Sequence, residues 1–184
     1  MDLQNVLGLI DEAFAGVQRD DDCTLHHAQL LDHTLDREIS EDEWRKAKQR
    51  DPETDWRDIP ASSLDECDAA LSHGTPKSWL FHMPAYMKRA LELLDTDAWL
   101  PGSVVFHLTH NVQRQGLDWH ALERFKQLTP GQEEAVVAFL NYVIARSSKG
   151  NWNAKWNAKS AAEALNSYWT LPPDKRPHGI EIAH

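Results

Sequence analysis

Helical spacing of apolar residues is the feature that most constrains the fold of this chain. At the N-terminus, the apolar side chains that recur at steps of three and four residues are Leu3, Val6, Leu7, Ile10, Phe14 and Val17. This spacing puts them on one stripe of a helix, so we expect a helix over residues 2–17. Similar spacing recurs along the chain, and the sequence therefore predicts a mainly α, single-domain helical bundle.

Start signals divide the remaining chain into about six further helices. These signals are Thr24, Ser40 with Glu43, Ser62 or Ser63 before residues 64–71, Pro84, the segment that begins at Leu117, and Thr129 with Pro130. Ser and Thr are favoured N-caps, and a proline is favoured in the first turn of a helix. The helix after Thr129 is apolar over most of its circumference, which indicates a central position. A last helix is expected to end at Trp169.

Two segments favour strands instead of helices. "SWLFHMP" (78–84) runs aromatic and apolar residues together, and "GSVVFHLTH" (102–110) is β-branched and apolar. At most, we expect them to form one short two-stranded element. The predicted domain covers residues 1–170, and residues 171–184 form a Pro-rich C-terminal tail.

Negative charge is concentrated in the first part of the chain. Residues 1–74 contain 19 acids and 7 bases, a net charge of −12, whereas residues 75–184 contain 10 acids and 12 bases, a net charge of +2. Such a surface repels nucleic acid and anionic membranes and attracts basic proteins. We therefore expect a basic protein partner, and neither nucleic acid nor a membrane as a partner.

Several observations favour a cytoplasmic protein. No apolar run approaches the ~20 residues that a membrane-spanning helix needs, and the acidic amphipathic N-terminus does not resemble a signal peptide. Cys23 and Cys67 are too few for a disulfide framework, so we expect free thiols in a reducing compartment.

The segment Asp51–Leu71 concentrates this charge around a tryptophan. Its seven carboxylates are Asp51, Glu53, Asp55, Asp58, Asp65, Glu66 and Asp68, against one base, Arg57. A calcium loop is excluded, because Trp56 stands where the sharp turn needs glycine and Ser62 stands where a bidentate glutamate is needed. A catalytic carboxylate pair would need a desolvating pocket, and nothing nearby supplies one.

Two interpretations of this segment remain open. In the first, Asp55 or Asp58 caps a turn and Trp56 attaches the loop to the core. In the second, the segment is a docking surface for a basic partner, because Trp is favoured at binding hot spots. The contact residues predicted by the second interpretation are Glu53, Asp55, Trp56, Asp58, Asp65, Glu66 and Asp68, with Asp20, Asp21, Asp22 and Trp44 at the rim.

Histidines provide an alternative, a small metal site. His107 and His110 are three residues apart and would meet His82 if the two strand candidates paired. There is no HExxH or CxxC pattern, so scattered structural histidines are the favoured interpretation, and we predict no metal and no cofactor. The eight glycines are isolated, which excludes a phosphate-binding loop and a dinucleotide fingerprint.

A basic, tryptophan-containing segment lies near the C-terminus. Residues 146–159 carry four bases and no acids, together with Trp152 and Trp156. Their spacing of four residues favours packing against the core over stacking on single-stranded nucleic acid. The segment is also a candidate contact with the acidic half of a second copy, so both a monomer and a homodimer remain open.

Four segments in order resemble a known family. "DPETDWRDIP", "MPAYMKRAL", "SVVFHLT" and "RFKQLTPGQEEAVVAFL" are together similar to a family of small bacterial proteins of unknown function, over about residues 24–140. The resemblance implies a bacterial cytoplasmic protein and carries no activity or catalytic residue. Immunity proteins that neutralise toxins are often small and acidic, which is an analogy at the level of the whole chain.

Three hypotheses on function follow. The leading one is a non-enzymatic immunity protein that occludes the active site of a basic antibacterial toxin, such as a nuclease, because carboxylates can stand in for phosphates. The second is a metal-dependent enzyme that uses His82, His107 and His110. The third is a housekeeping protein whose acidic face only keeps it soluble.

Overall fold

Helices account for nearly all the regular structure in the computed structural model. The structure describes residues 1–34, 37–110, 118–147 and 152–177. Within these ranges it does not describe the side chains of Asp118, Trp119 and Trp152. The helices are α1 (Leu3–Ala13), α2 (Leu25–His33), α3 (Glu41–Gln49), α4 (Ala61–Glu66), α5 (Ala70–His73), α6 (Pro76–Leu93), α7 (Leu100–His107), α8 (Asp118–Phe125), α9 (Pro130–Ser147) and α10 (Trp152–Ala164). A π-helical turn, Leu165–Trp169, continues α10. The mainly α prediction is confirmed, with ten helices in the described ranges instead of about seven.

Three of the predicted start signals act as expected. Thr24 is the N-cap of α2. Ser40 and Glu43 form a reciprocal capping box at α3, with the Ser40 N–H donating to the Glu43 carboxylate at 3.0 Å. Thr129 and Gln132 exchange two hydrogen bonds at the start of α9, of 2.9 and 3.3 Å. Each bond satisfies an N–H group that a helix end leaves without an intrahelical partner.

The prediction of a two-stranded element is wrong, because both candidate segments are helical. The first belongs to α6, which begins eight residues before the predicted start at Pro84 and contains that proline in its interior. Thr75 caps α6 through a 3.0 Å bond from the Ser78 N–H, and Pro76 occupies the first turn. The second candidate is α7.

The short helix predicted over residues 64–71 is two helices. α4 begins at Ala61, after Pro60 and not after Ser62 or Ser63. It ends before Cys67, and α5 begins at Ala70. The Tyr86 hydroxyl of α6 donates to the Cys67 carbonyl at this break, and the same carbonyl also accepts the Ala70 N–H at 3.2 Å.

The core lies around α6 and α9. α9 packs against α1 and α10, while α6 contacts α7, α8 and the short elements between residues 56 and 73. Trp79, Tyr86 and Phe139 are completely buried. Trp169 donates from Nε1–H to the Leu108 carbonyl at 2.7 Å, which ties the end of α10 to the end of α7.

α2 and α3 form a smaller layer. α2 packs against α3 and α5, and the acidic segment follows α3 directly. The position of this layer places residues 51–71 between α3 and the outer surface of α6.

The first residues of the predicted tail are attached to the bundle. Arg176 forms two bonds with the Glu133 carboxylate of α9, at 2.6 and 2.9 Å, and its Cζ lies 5.0 Å from the centre of the Tyr168 ring. Residues 178–184 lie outside the described part of the chain, and the domain boundary at residue 170 stays a prediction. None of the helices in the described ranges has both the length and the apolar character to span a bilayer.

Candidate partner-binding surface

The acidic segment begins with a turn that is built by its own side chains. Asp55 accepts the Arg57 N–H at 2.9 Å, which caps the 3₁₀ turn Trp56–Asp58. The same carboxylate forms an ion pair with the Arg57 guanidinium at 3.0 Å. Arg57 also donates to the Asp11 carbonyl at 2.7 Å, so the turn is held against the end of α1. The predicted capping role of Asp55 is confirmed.

Trp56 is not available to a partner, because only 1% of its surface is exposed. Its indole N–H donates to the Phe14 carbonyl at 2.9 Å. The Arg57 and Lys88 cations cover the ring at 4.8 and 5.5 Å from its centre. The structure therefore agrees with the interpretation of Trp56 as a loop anchor. The prediction that Trp56 contacts a partner is corrected, because its ring is buried.

Two further carboxylates of the segment are already engaged. Arg89 of α6 binds Asp65 through two bonds, of 3.0 and 2.7 Å. Arg50 contacts both oxygens of Glu66 at 2.7 Å, and these bonds hold the pKa of Glu66 below its ordinary value. A basic partner would have to compete with these arginines for the two carboxylates.

Every base of residues 1–74 is engaged in the same way. The pairs are Arg19–Asp21, Arg37–Glu43, Arg45–Asp42, Lys46–Asp42, Lys48–Asp21, Arg50–Glu66 and Arg57–Asp55. In each pair the carboxylate also belongs to residues 1–74. Of the remaining acids, Asp11 and Asp65 are paired with Lys88 and Arg89 of α6, and others have no ion pair in the described ranges.

Three such acids lie in the acidic segment itself. Asp58 and Asp68 are exposed and Glu53 is half-exposed. None of the three forms an ion pair with a residue in the described ranges. Their negative charge is not compensated locally, so they attract cations from solution. We call Glu53, Asp58 and Asp68 the unpaired carboxylates.

The predicted rim residues Asp20–Asp22 have three different environments. Asp20 is buried and accepts from the Thr75 hydroxyl at 2.5 Å and from the Asp22 N–H at 3.1 Å. The prediction that Asp20 lies at the rim is corrected, since the Asp20 carboxylate supports the start of α6 through Thr75. Asp21 is exposed and paired with Arg19 at 2.5 Å. Asp22 is exposed.

Trp44, the other predicted rim residue, is half-exposed and held in one orientation. Its ring meets the buried His27 ring edge to face, with centroids 4.5 Å apart. His27 Nδ1 accepts the Thr24 N–H at 3.2 Å, so the proton is on Nε2, which donates to the Trp44 carbonyl at 2.8 Å. Both ring nitrogens of His27 are therefore used to position α3 on α2.

A buried ion pair at the start of the segment was missed by the sequence analysis. Asp51 is 6% exposed and accepts the His26 backbone N–H at 2.8 Å, while its other oxygen lies 2.5 Å from His26 Nδ1. Burial raises the pKa of the Asp51 carboxyl. The hydrogen bonds from the His26 and Thr24 side chains lower this pKa by more than burial raises it, so the net pKa is below the ordinary value. Asp51 is therefore a structural carboxylate. No local pattern connects residues 25 positions apart, so the sequence contained no signal for this pair.

A family model described as "Family of unknown function (DUF6714)" matches residues 2–172. The chain belongs to this family. The match is wider than the resemblance over residues 24–140, since it also includes α1 and α10. No curated protein and no solved structure matches the chain. Membership of DUF6714 therefore supports no transfer of residue roles, and the roles must come from the geometry.

The histidine alternative has no geometric support in this DUF6714 chain. His82 is buried in α6, with Nδ1 at 3.2 Å from the Ser78 hydroxyl, and burial lowers its pKa to about 4. His107 Nε2 lies 3.3 Å from the Ser72 hydroxyl. Over the described ranges, no three His, Cys, Asp or Glu side chains are arranged to hold a metal ion, so His82, His107 and His110 do not converge there.

The basic segment differs from its prediction. Trp156 is 54% exposed, so the predicted packing against the core is not found for this residue. Residues 148–151 and the side chain of Trp152 lie outside the described part of the chain. The proposed contact of this segment with a second copy stays a prediction.

The two thiols are poor nucleophiles. Cys23 and Cys67 are both buried and free. Burial raises the pKa of Cys23, and burial together with the Asp51 and Glu66 charges raises the pKa of Cys67 to about 12. Since the thiolate is the reactive form, this part of the DUF6714 chain offers charge for binding and little nucleophilic reactivity.

Proposed function

We propose that this DUF6714 member is a non-enzymatic binding protein whose residues 1–74 bind a basic protein partner. In the specific form of the proposal, it is an immunity protein of the bacterial cytoplasm that occludes the active site of a basic toxin, such as a nuclease. The observation that carries the proposal is the internal pairing of all seven bases of residues 1–74, while the unpaired carboxylates form no ion pair in the described ranges.

Electrostatics explains why such a surface is suited to this role. Uncompensated carboxylates steer a cationic protein toward the surface and raise the rate of association, and this effect weakens as salt screens the charges. Carboxylates can then occupy the positions of phosphates in the groove of a nuclease. Paired carboxylates contribute less, because each must first give up its own arginine.

The structure also changes which residues the proposal assigns to the contact. The unpaired carboxylates, together with the exposed Asp22, are the primary set. Asp55, Asp65 and Glu66 form a secondary set that joins only if the partner displaces Arg57, Arg89 and Arg50. Trp56 and Asp20 are not in either set.

The test begins with affinity capture from the native bacterium at low salt. Three immobilised proteins are compared: wild type, the triple variant Glu53→Lys, Asp58→Lys and Asp68→Lys, and a matched control. The control is Glu134→Lys, Glu163→Lys and Asp174→Lys, which changes the net charge by the same amount at exposed positions in the other part of the chain. We expect one basic protein to bind wild type and the control, and not the triple variant.

The captured protein is then purified and its Kd is measured at several salt concentrations. For wild type and the control we expect Kd to rise steeply with salt. For the triple variant we expect Kd to be at least ~10-fold weaker at low salt and less dependent on salt, because three charged contacts are reversed. Equal affinity and equal salt dependence for all three proteins would contradict the proposal, as would the absence of any specifically captured basic protein.

A further inference from the structure

An open groove lies beside Trp44, outside the main core. It has a volume of about 530 Å³ and lies between the end of α2, the connection to α3, and α5. Its lining residues are Leu31, Thr34, Arg37, Glu38, Ile39, Trp44 and His73. This volume is within the range of ~300–1,000 Å³ that is typical of ligand pockets, so the groove has room for one large apolar side chain together with part of the segment that carries it.

The apolar wall of the groove consists of Leu31, Ile39 and Trp44. All three are half-exposed, and none belongs to the main hydrophobic core or packs against it. Their apolar surface therefore remains in contact with water in the free protein. Covering this surface with an apolar side chain of a partner would gain roughly 25 cal/mol per Å².

The wall is rigid before any partner binds. Trp44 is oriented by the His27 ring, and both nitrogens of His27 are fixed by backbone groups. Arg37, at the groove, is held by two bonds to Glu43, of 3.0 and 2.5 Å, and so does not swing into the opening. A preformed apolar surface costs less conformational entropy on binding than one that must be ordered.

The charges around the groove favour a partner segment in which lysine or arginine residues flank the apolar side chain that enters the groove. Glu38 lines the groove and Glu41 follows it at the first turn of α3. Both are exposed, and neither forms an ion pair with a residue in the described ranges. The bases nearby, Arg37, Arg45 and Lys46, are already paired with Glu43 and Asp42.

We propose that the Trp44 groove binds one large apolar side chain of a lysine- or arginine-rich segment of the partner protein. The inference rests on the proposed function, since it assumes a basic partner, and it adds the chemical nature of the segment that is bound. In this arrangement Glu38 and Glu41 supply attraction and salt dependence at the groove. The groove supplies selectivity for a segment that has an apolar residue among its bases.

Three synthetic eight-residue peptides test the groove without knowledge of the partner. The first has a leucine flanked by lysines, the second has glycine in place of the leucine, and the third keeps the leucine and has glutamates in place of the lysines. Binding is followed through the Trp44 indole N–H signal in ¹H–¹⁵N spectra, which is assigned by its loss in Trp44→Phe. We expect the leucine–lysine peptide to bind at least ~10-fold more tightly than the glycine–lysine peptide, as is typical for one apolar group in a pocket.

Variants connect the selectivity to the groove. Trp44→Ala lacks the indole reporter, so binding to this variant and to wild type is compared by calorimetric titration. In Trp44→Ala the two lysine peptides should bind equally, with the affinity and salt dependence of the glycine–lysine peptide unchanged from wild type. Ile39→Ala is the second variant, because Ile39 lines the groove and lies outside the His27–Trp44 ring contact. It should reduce the leucine preference by several-fold.

The outcomes separate the two proposals. Equal binding of the two lysine peptides to wild type would overturn the groove inference and leave the proposed function intact. No binding of either lysine peptide, or binding of the glutamate peptide as tightly as the leucine–lysine peptide, would count against both proposals. A leucine preference that survives in Trp44→Ala and Ile39→Ala would place the apolar contact elsewhere.

Discussion

At the scale of single residues, Trp56 connects two segments that are 42 positions apart. Its N–H donates to the Phe14 carbonyl at the end of α1, and its ring is buried under two cations. We expect Trp56→Phe to destabilise the protein by about 2 kcal/mol, because the Phe14 carbonyl loses the indole donor and keeps only the longer bond from the Val17 N–H, at 3.3 Å. Urea unfolding checks this value. Trp156→Phe is the control, since Trp156 is 54% exposed, and it should change the free energy of unfolding by less than ~0.5 kcal/mol. Similar values for the two variants would contradict the anchoring role of Trp56.

Asp51 gives a prediction on pH dependence. The pKa of its carboxyl is lowered in the folded state, so the ion pair with His26 stabilises the fold above the pKa of about 3.9 that an unfolded aspartate has. This contribution is lost as the pH falls through the lower folded pKa. We expect Asp51→Asn to cost about 2 kcal/mol at pH 7, because a neutral amide replaces the charged acceptor of the two His26 bonds.

The difference between wild type and Asp51→Asn should shrink as the pH falls below about 4. Denaturant unfolding from pH 3 to pH 7 measures it. Asp68→Asn, at an exposed position without an ion pair in the described ranges, should follow wild type at each pH. A cost for Asp51→Asn that is constant over this range would mean that the pair does not titrate as described.

At the scale of helices, two Thr-Pro pairs mark the starts of the two long helices. Thr75 and Thr129 both accept an N–H three residues later, at 3.0 and 3.3 Å. Thr75 differs because its hydroxyl also donates to the buried Asp20 carboxylate at 2.5 Å. We expect Thr129→Ala to cost about 1 kcal/mol, as an ordinary cap does, and Thr75→Ala about 2 kcal/mol or more.

Thermal and urea unfolding of the two variants checks this difference. Thr75→Ser should restore most of the lost stability, since serine keeps the hydroxyl. If Thr75→Ala cost no more than Thr129→Ala, the bond to Asp20 would contribute nothing to the start of α6.

The same comparison shows what local sequence can predict. Thr129 and Pro130 precede a segment with an obvious helical character, and the helix was predicted correctly. Thr75 and Pro76 are an identical signal, but Pro84 inside α6 is a second start signal, and the aromatic and apolar run before Pro84 resembled a buried strand. Contacts between residues far apart in the sequence could not be predicted from local patterns. In the sequence, Asp51 does not differ from the other carboxylates of its segment. Only the structure shows that it is bonded to His26.

At the scale of the whole molecule, the separation of charge has a cost in stability. Residues 1–74 carry a net charge of −12, so their unpaired carboxylates repel one another. We expect the variant with Glu53→Lys, Asp58→Lys and Asp68→Lys to unfold at a higher urea concentration than wild type in about 0.01 M salt, where the screening length is ~30 Å. The matched variant with Glu134→Lys, Glu163→Lys and Asp174→Lys should show no such gain.

In about 1 M salt, where the screening length is ~3 Å, the difference should disappear. A gain that persists in high salt would come from local packing and not from charge. The measurement also shows that the triple variant is folded, which the capture experiment requires.

Both cysteines are buried, so the rate at which a reagent labels them measures how often the surrounding structure opens. Cys23 precedes α2 and Cys67 follows α4, and the chain has no other cysteine. With the pKa of Cys67 raised to about 12, hardly any thiolate exists in the closed state near neutral pH. An alkylating reagent can therefore modify Cys67 only in molecules in which the acidic segment, residues 51–71, and the adjacent α2–α3 layer have opened. The labelling rate would measure how often this layer separates from α6, and a bound partner that holds it closed would slow the reaction.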